Sequence, residues 1–380
     1  MSFLRAAHAT AFGRHDGADA LSLMDRAAQA ALDQAGMARG QIDGLLTGYA
    51  TTLPHLMLST VFAERFGLAP AYAHSVQLGG ATGAALLHLA HILVAAGVCR
   101  NVLVVAGENR ATGQSRDTSI QTLAQVGHPV AEAPLGATVP AYYALGAARY
   151  LADTGANEAD LAALAVLMRA HASDTPGAHL TAPITVADVL ASRPIATPLK
   201  LLDCCPISDG AAACIVSADP PPHGPAVAIT GAGQAHTHQH VSEAPDQVAI
   251  GALASSRAAL AQAGAALSDI GYLGVYDSFT VTLAQLLEAI GICAPGRAGP
   301  DASAGRFGRA GELPLNTHGG LLSYGHCGVA GAMAHVAEAH LQLTGRARSR
   351  QIALQPAHAL IHGDGGVLSS HVSLVLERTR

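Results

Sequence analysis

Three side chains in the last third of this 380-residue chain have the types and surroundings for proton chemistry. Tyr276 opens the run Tyr276-Asp277-Ser278-Phe279, and Tyr324 and His326 stand in Ser323-Tyr324-Gly325-His326-Cys327. A phenol and an imidazole can pass a proton to and from a bound molecule, provided the phenol, with a reference pKa of about 10, is tuned downward by a histidine or a helix dipole. Gly319, Gly320, Gly325 and Gly328 crowd around His326, which implies backbone packed close to a ligand. His362 is a fourth candidate, with Gly363-Asp364-Gly365-Gly366 after it; Asp364 either orients it or makes an Asx turn. Gly79-Gly80 permits a tight strand-to-helix turn, and free N–H groups at such a helix start can polarise a carbonyl.

Other candidates carry less. His236, His238 and His240 alternate, which puts them on one face of a strand, a pattern that can hold a metal. Only Glu243 accompanies them, so a solvated loop near the substrate mouth is the preferred reading and no metal site is expected. Asp209 reads as an N-cap carboxylate at a helix start. Cys204 and Cys205 read as small buried hydrophobes, and Cys327 as a displaced nucleophile at most. The run Gly107-Glu108-Asn109-Arg110-Ala111-Thr112-Gly113 lacks the G-K-[ST] ending of a phosphate loop.

The elements that must position these residues follow from periodicity. Strands are expected at 7–12, 42–49, 73–76 and 101–106, and helices at 18–35 and 81–96. Residues 101–106, NVLVVA, form a continuous apolar run, as for a strand covered on both faces. Residues 110–198 read as an insertion over the sheet, with helices at 140–153 and 158–172. Residues 203–217 return to helix and strand. The linker DPPPHG at 219–224 then separates a second alternation: strands at 227–231, 272–276, 357–362 and 370–376, helices at 247–263, 280–291 and 329–344. The chain therefore reads as an α/β protein with two similar halves, 1–218 and 225–380.

Half the residues are hydrophobic and 13% are charged, so the chain must bury a large core and, by that reasoning, a subunit interface. The net charge of −6 shows no basic stripe, which argues against nucleic acid. No apolar run reaches the roughly 18 residues a membrane helix needs. With no secretory signal and no C-x-x-C pair among six cysteines, the cytoplasm is expected.

Five stretches, in order, resemble the thiolase superfamily, and its sterol-carrier-protein-type branch most closely: VQLGGATGAALLHLA at 76–90, VLVVAGEN at 102–109, LLDCCPISDGAAACIV at 201–216, VYDSFT at 275–280 and NTHGGLLSYGH at 316–326. The C-terminal HGDGGVLSSHVSLVL fits the family's closing hairpin. The resemblance spans nearly the whole chain. It implies a five-layered αβαβα thiolase fold from two duplicated α/β halves, an acyl-CoA thioester as substrate with no cofactor beyond its coenzyme A, and a homodimer joined along the strand ending near Ala106.

A thiolase carries a nucleophilic cysteine in C-x-[ST]-G; here the stretch reads Gly80-Ala81-Thr82-Gly83. Gly80 cannot form an acyl-enzyme, and its missing side chain implies room for a bulkier acyl group. Tyr276 replaces the first residue of N-E-A-F, and His326 matches the histidine of G-H-P. His362 falls where a second catalytic Cys or His is expected. These departures resemble the steroid side-chain aldolases, thiolase-like lyases that work with a small OB-fold partner in a heterotetramer. The resemblance implies retro-aldol cleavage of a β-hydroxyacyl-CoA. Tyr276 or Tyr324 would be the base and the other the acid, with His326 holding the enolate oxygen; Gly79, Gly80, Gly319, Gly320 and Gly365 would border the substrate. Two alternatives stand beside it: an acetyl-CoA acyltransferase using another thiol, and a non-catalytic complex subunit.

Overall fold

The computed structural model describes residues 1–245 and 249–379, and there the apolar runs sort into two matching halves. The first contains β1 (Ser2–Ala9), α1 (Ala20–Ala35), β2 (Gly44–Gly48), α2 (Leu58–Phe66), β3 (Tyr72–Val76), α3 (Thr82–Ala95) and β4 (Asn101–Asn109). The insertion follows with α4 (Arg116–Ala124), α5 (Val139–Thr154), α6 (Glu158–Ala172), α7 (Val186–Ala191) and the small ribbon β5 (Pro194–Ala196) and β6 (Leu199–Lys200). β7 (Asp209–Ser217) closes this half. The second contains β8 (Val227–His236), α8 (Ile250–Ala263), β9 (Ile270–Val275), α9 (Thr280–Ile290), α10 (Ala298–Ser303), α11 (Val329–Thr344), β10 (His358–Gly365) and β11 (Ser370–Arg378).

The duplication is visible in the hydrogen-bonded order. The first half reads β3-β2-β4-β7-β1, with β2 parallel to β3 and β4, and β7 antiparallel to β4 and β1. In the second half β9 is parallel to β10, and β11 is antiparallel to β10 and β8. A parallel bridge from Leu273 to Leu315 stands where a third strand would lie. The halves touch at Ser2–Ile229 and Phe3–Ala228, which joins nine of the strands into one sheet, with β5 and β6 paired apart from it.

Burial separates five layers. α1 and α2 cover one face of the first sheet through Leu23, Met24, Leu32, Phe62 and Phe66. α3 and α11 fill the space between the sheets. α8 and α9 cover the far face of the second. The insertion is anchored on that second half: the Tyr143 and Phe279 rings lie 4.4 Å apart, Tyr150 donates to Glu288 at 2.7 Å, and Arg169 Nε donates to Ser323 Oγ at 3.0 Å.

Several expectations need correction. The first strand begins at Ser2 rather than Ala7, because antiparallel pairing with β7 sets its register and the run SFLRAAHA alternates only weakly. Asp209 starts a strand, not a helix: its carboxylate accepts the N–H groups of His15 (2.9 Å), Ala111 (2.6 Å) and Thr112 (3.2 Å) and the Thr112 hydroxyl (2.8 Å). Only a single turn, Leu201–Asp203, precedes that strand. β4 is central and buried, bonded on one edge to β2 and on the other to β7, so the strand ending near Ala106 has no free edge for a partner. The free edge of the first sheet is β3. Residues 247 and 248, where the helix 247–263 was expected to begin, lie outside the described residues. Among those described, no helix is long and apolar enough to cross a membrane.

Candidate active site

The motifs meet where the parallel strands of both halves end, outside their carboxyl ends, the usual position of a site in layered α/β folds. Tyr276 follows β9, His326 precedes α11, Arg110 follows β4, and Gly80 sits between β3 and the head of α3. At Gly80 a Cβ atom would collide with the Tyr276 hydroxyl and with the main-chain oxygen of Asp364, both closer than 3.0 Å. The space is therefore taken by a phenol and a carbonyl, and Gly80 makes no room for a larger acyl group.

Tyr276 is 5% exposed, and its hydroxyl lies 3.0 Å from His326 Nε2. Gly328 N–H donates to His326 Nδ1 at 3.2 Å. Burial, with help from the nearby Arg110 charge, lowers the imidazole pKa to about 3, so the ring is neutral and has one proton. That proton is on Nε2 and is donated to the Tyr276 oxygen. Burial also holds the phenol well above its ordinary 10; Cys205, Asp364 and Tyr49 add to the effect and Arg110 opposes it. The expected downward tuning of Tyr276 is absent from this arrangement: the histidine donates, but burial outweighs it.

Arg110 is the cation that periodicity and motif both missed. It is 8% exposed and lies 3.4 Å from Glu108, itself 1% exposed. Glu108 accepts from Thr51 N–H and, at 3.1 Å, from the Thr51 hydroxyl. Burial raises the Glu108 carboxyl pKa against the pull of Arg110. Gly328, at φ +62°, lets the head of α11 approach this carboxylate, to which a Cβ would come within 2.9 Å. One signal could have found the pair: two charges placed at the carboxyl end of the most apolar strand in a chain with few charges.

Asp277 ties the two motifs together. Its carboxylate accepts Leu321 N–H at 2.7 Å and Leu322 N–H at 3.3 Å, and His335 Nε2 lies 3.4 Å away. Gly320 passes so close that a Cβ there would overlap the carboxylate. This holds the Gly320–Tyr324 turn, and with it His326, against Tyr276.

The other candidates are not brought to this pair. The Tyr324 hydroxyl donates to Thr10 O at 2.8 Å, and its ring packs edge-on against Phe12 (4.8 Å) and His318 (5.3 Å). His362 points into the second half: Nδ1 lies 2.8 Å from Ser373 Oγ and Nε2 3.2 Å from His371 Nδ1. Only its main-chain oxygen serves the site, accepting Tyr276 N–H at 3.0 Å. Asp364 is buried and its carboxyl is held well above the carboxylate range by that burial; Tyr143 lies 3.3 Å from it. The glycines are occupied by protein atoms: Gly79 by Gly366 N at 2.9 Å, Gly365 by Leu78 O, Gly319 by the Ala172 Cβ at 2.6 Å. His236 ends β8 and His238 bonds Val367 O at 3.2 Å; among the described residues no group of His, Cys, Asp or Glu is placed to hold a metal. Cys327 is fully buried, and its thiol is pushed well up by that burial and by Glu108.

The family described as thiolase C-terminal domain-like matches residues 233–378. A steroid side-chain-cleaving aldolase of Thermomonospora curvata is 32% identical over 342 residues, covering 83% of each chain. A 17-hydroxy-3-oxo-4-pregnene-20-carboxyl-CoA lyase of Mycobacterium tuberculosis is 30% identical, covering 96% of this chain and 97% of that one. An acetyl-CoA acetyltransferase of Methanothermobacter thermautotrophicus is 29% identical over 96% of both. The solved structure of an Ltp2-ChsH2(DUF35) aldolase superposes with a TM-score of 0.84 at 29% identity, covering 100% of this chain and 98% of that one.

Proposed function

Because this chain belongs to the thiolase superfamily, as a thiolase-like enzyme of the branch near the steroid side-chain aldolases, we propose that it cleaves a β-hydroxyacyl-CoA by a retro-aldol reaction without a covalent intermediate. One observation carries the reading: the Tyr276 hydroxyl, held by His326 Nε2–H at 3.0 Å, fills the place where the family's cysteine side chain would begin.

A single tyrosine balances the reaction. Tyr276, as phenolate, takes the β-hydroxyl proton. The β-carbon becomes a carbonyl as the Cα–Cβ bond breaks, and the electron pair passes into the thioester enolate. Tyr276 then returns the proton to the α-carbon, giving a ketone or aldehyde and a shortened acyl-CoA. No net proton is consumed. His326 Nε2–H and the Arg110 charge favour the phenolate, and we assign backbone N–H groups at the head of α3 as donors for the enolate oxygen. Tyr324 has no step in this scheme. Coenzyme A enters only as part of the substrate, and a steroid side chain is the acyl class suggested by the named relatives.

The acyltransferase reading is less well supported, because the Cβ of a residue-80 cysteine would have no space and Cys327 is a buried thiol pushed well up. For partners, we propose a homodimer through the free edge of β3 and a small OB-fold subunit, a reading supported by the two components named in the Ltp2-ChsH2(DUF35) aldolase. The six free cysteines fit the cytoplasm. The test is Tyr276→Phe assayed with a β-hydroxyacyl-CoA, following the released carbonyl compound. The rate should fall at least about 100-fold. Full activity would end the proposal; no turnover by wild type with its partner subunit present would favour the non-catalytic reading.

A further inference from the structure

A cleft of about 650 Å³ opens beside α11, and neither Tyr276 nor His326 lines it. Its wall is apolar: Ala7 and Ala9 of β1, Pro176, and Ala334, Ala337 and Leu341 of α11. Two features point to a ligand. His318 lines the cleft at 3% exposure, and neither of its ring nitrogens has a hydrogen-bond partner. Burial, with the positive charges of Arg350 and Arg309 adding, keeps that ring neutral. It offers one donor and one acceptor, and an unpaired buried imidazole is costly unless something meets it. The second feature is charge. Arg346 uses Nε on Thr344 Oγ1 at 3.1 Å, and Arg348 makes no ion pair among the described residues. Both are exposed. Glu338, also on the wall, is answered by Arg350 at 2.8 Å, so the cleft carries an excess of positive charge.

We propose that this cleft binds a small amphipathic anion: a carboxylate or phosphate head at Arg346 and Arg348, an apolar body on the alanine wall, and a hydrogen-bonding group that meets His318. Arginine suits either head, since its planar fork matches both. Tyr324 forms part of the wall, which gives this residue a place in the molecule independent of Tyr276.

Calorimetric titration of the full chain with 10-hydroxydecanoate, 10-hydroxydecyl phosphate and 1,10-decanediol tests the assignment. Both anions should bind, the diol at least tenfold more weakly, and whichever anion binds tighter identifies the head. Arg346→Gln combined with Arg348→Gln, at two exposed positions, should bring the anions down to the affinity of the diol, a loss of about 1.4 kcal/mol or more. The ring ¹⁵N signals of His318 should shift on binding, and decanoate, lacking the distal hydroxyl, should bind more weakly than 10-hydroxydecanoate. Equal binding of diol and anions, or an unchanged affinity in the double variant, overturns the proposal. Displacement of 10-hydroxydecanoate by coenzyme A would make the cleft part of the thioester site and overturn its independence.

Discussion

Replacing Gly80 by alanine adds one methyl group, and the surroundings decide what that costs. The new Cβ would stand closer than 3.0 Å to the Tyr276 hydroxyl and to the Asp364 main-chain oxygen. The carbonyl belongs to β10, paired with β11 through Asp364–His371, and cannot retreat cheaply. The phenol can move only by leaving His326, 3.0 Å away. Overpacking of this kind costs about 1–3 kcal/mol. Leaving a buried donor unpaired adds about 1–3 kcal/mol. An unfolding entropy of about 2.1 cal/mol/K per residue gives about 0.8 kcal/mol/K for the 380 residues. Gly80→Ala should therefore lower the melting temperature by roughly 3–7 °C and cut the lyase rate at least about 100-fold. Differential scanning calorimetry and the carbonyl-release assay read the two effects. A variant that melts within about 1 °C of wild type and keeps its rate would refute the claim that Tyr276 fills this space. The companion Gly80→Cys restores the residue type of a thiolase but meets the same collision. If it gained CoA-dependent thiolysis that iodoacetamide abolishes, the reasoning from Gly80 would fail altogether.

With the Tyr276 phenol held above 10, the phenolate fraction rises tenfold per pH unit, so the lyase rate should climb with pH beyond pH 10; a flat profile would remove Tyr276 as base. His326, with its pKa lowered to about 3, should remain neutral with its proton on Nε2 in ¹⁵N NMR spectra down to about pH 4. Because its folded pKa lies below the unfolded value of about 6.5, the stability it contributes is complete above 6.5 and is lost as pH falls toward 3. His326→Gln should therefore flatten the stability-versus-pH curve in that window, and an unchanged slope counts against the burial argument. Asp277→Ala leaves the Leu321 and Leu322 N–H groups unpaired and should cost about 2–6 kcal/mol in denaturant unfolding while loosening His326. On the proposed pairing through β3, wild type should sediment as a dimer and His74→Glu, an exposed change on that free edge, as a monomer; equal sedimentation of the two would count against a contact there.

Much of the fold was legible because it depends on runs of residues. NVLVVAG is apolar on both faces because α1 and α3 pack on opposite sides of β4, and DPPPHG breaks the chain where the halves part. Strand order was not legible, since it depends on which edges meet, so nothing in the sequence opposed the partner contact that the family resemblance implied at β4. The site divides in the same way. Tyr276 and His326 stood out by type and neighbours, and the fold sets them 3.0 Å apart, a contact their separation in the sequence did not show. Tyr324 shares those neighbours, but the bends at Gly319 and Gly320 turn it toward Thr10. His362 failed by strand alternation: its side chain faces Ser373 and His371, while the next residue, Gly363, faces Ala81. Asp364 was quoted only as an accessory to His362, yet its main-chain oxygen is what closes the space at Gly80.

The electrostatics of the pocket bear on why a thiol is not needed there. Burial pushes the Tyr276 phenol up, the His326 imidazole down, and the Asp364 and Glu108 carboxyls up, so every one of these groups is biased toward its neutral form. The thiols follow the same rule: Cys327 and Cys205 are both pushed up by burial, so a resting thiolate would be disfavoured in this environment. Arg110 is the exception, a cation whose field reaches Tyr276 and His326. Such a pocket discourages a permanent anion and favours one formed briefly beside the guanidinium. On the retro-aldol reading that anion is the minor phenolate form of Tyr276, whose charge passes to the enolate when the β-hydroxyl proton is taken and returns to the phenol oxygen when the α-carbon is protonated. Arg110→Lys separates charge from geometry. If the field alone matters, it keeps most of the rate; if the planar contacts to Glu108 and Ser119 are needed to aim the charge, it loses nearly as much as Arg110→Gln. If neither variant changed the rate, the charge would have no part in the chemistry.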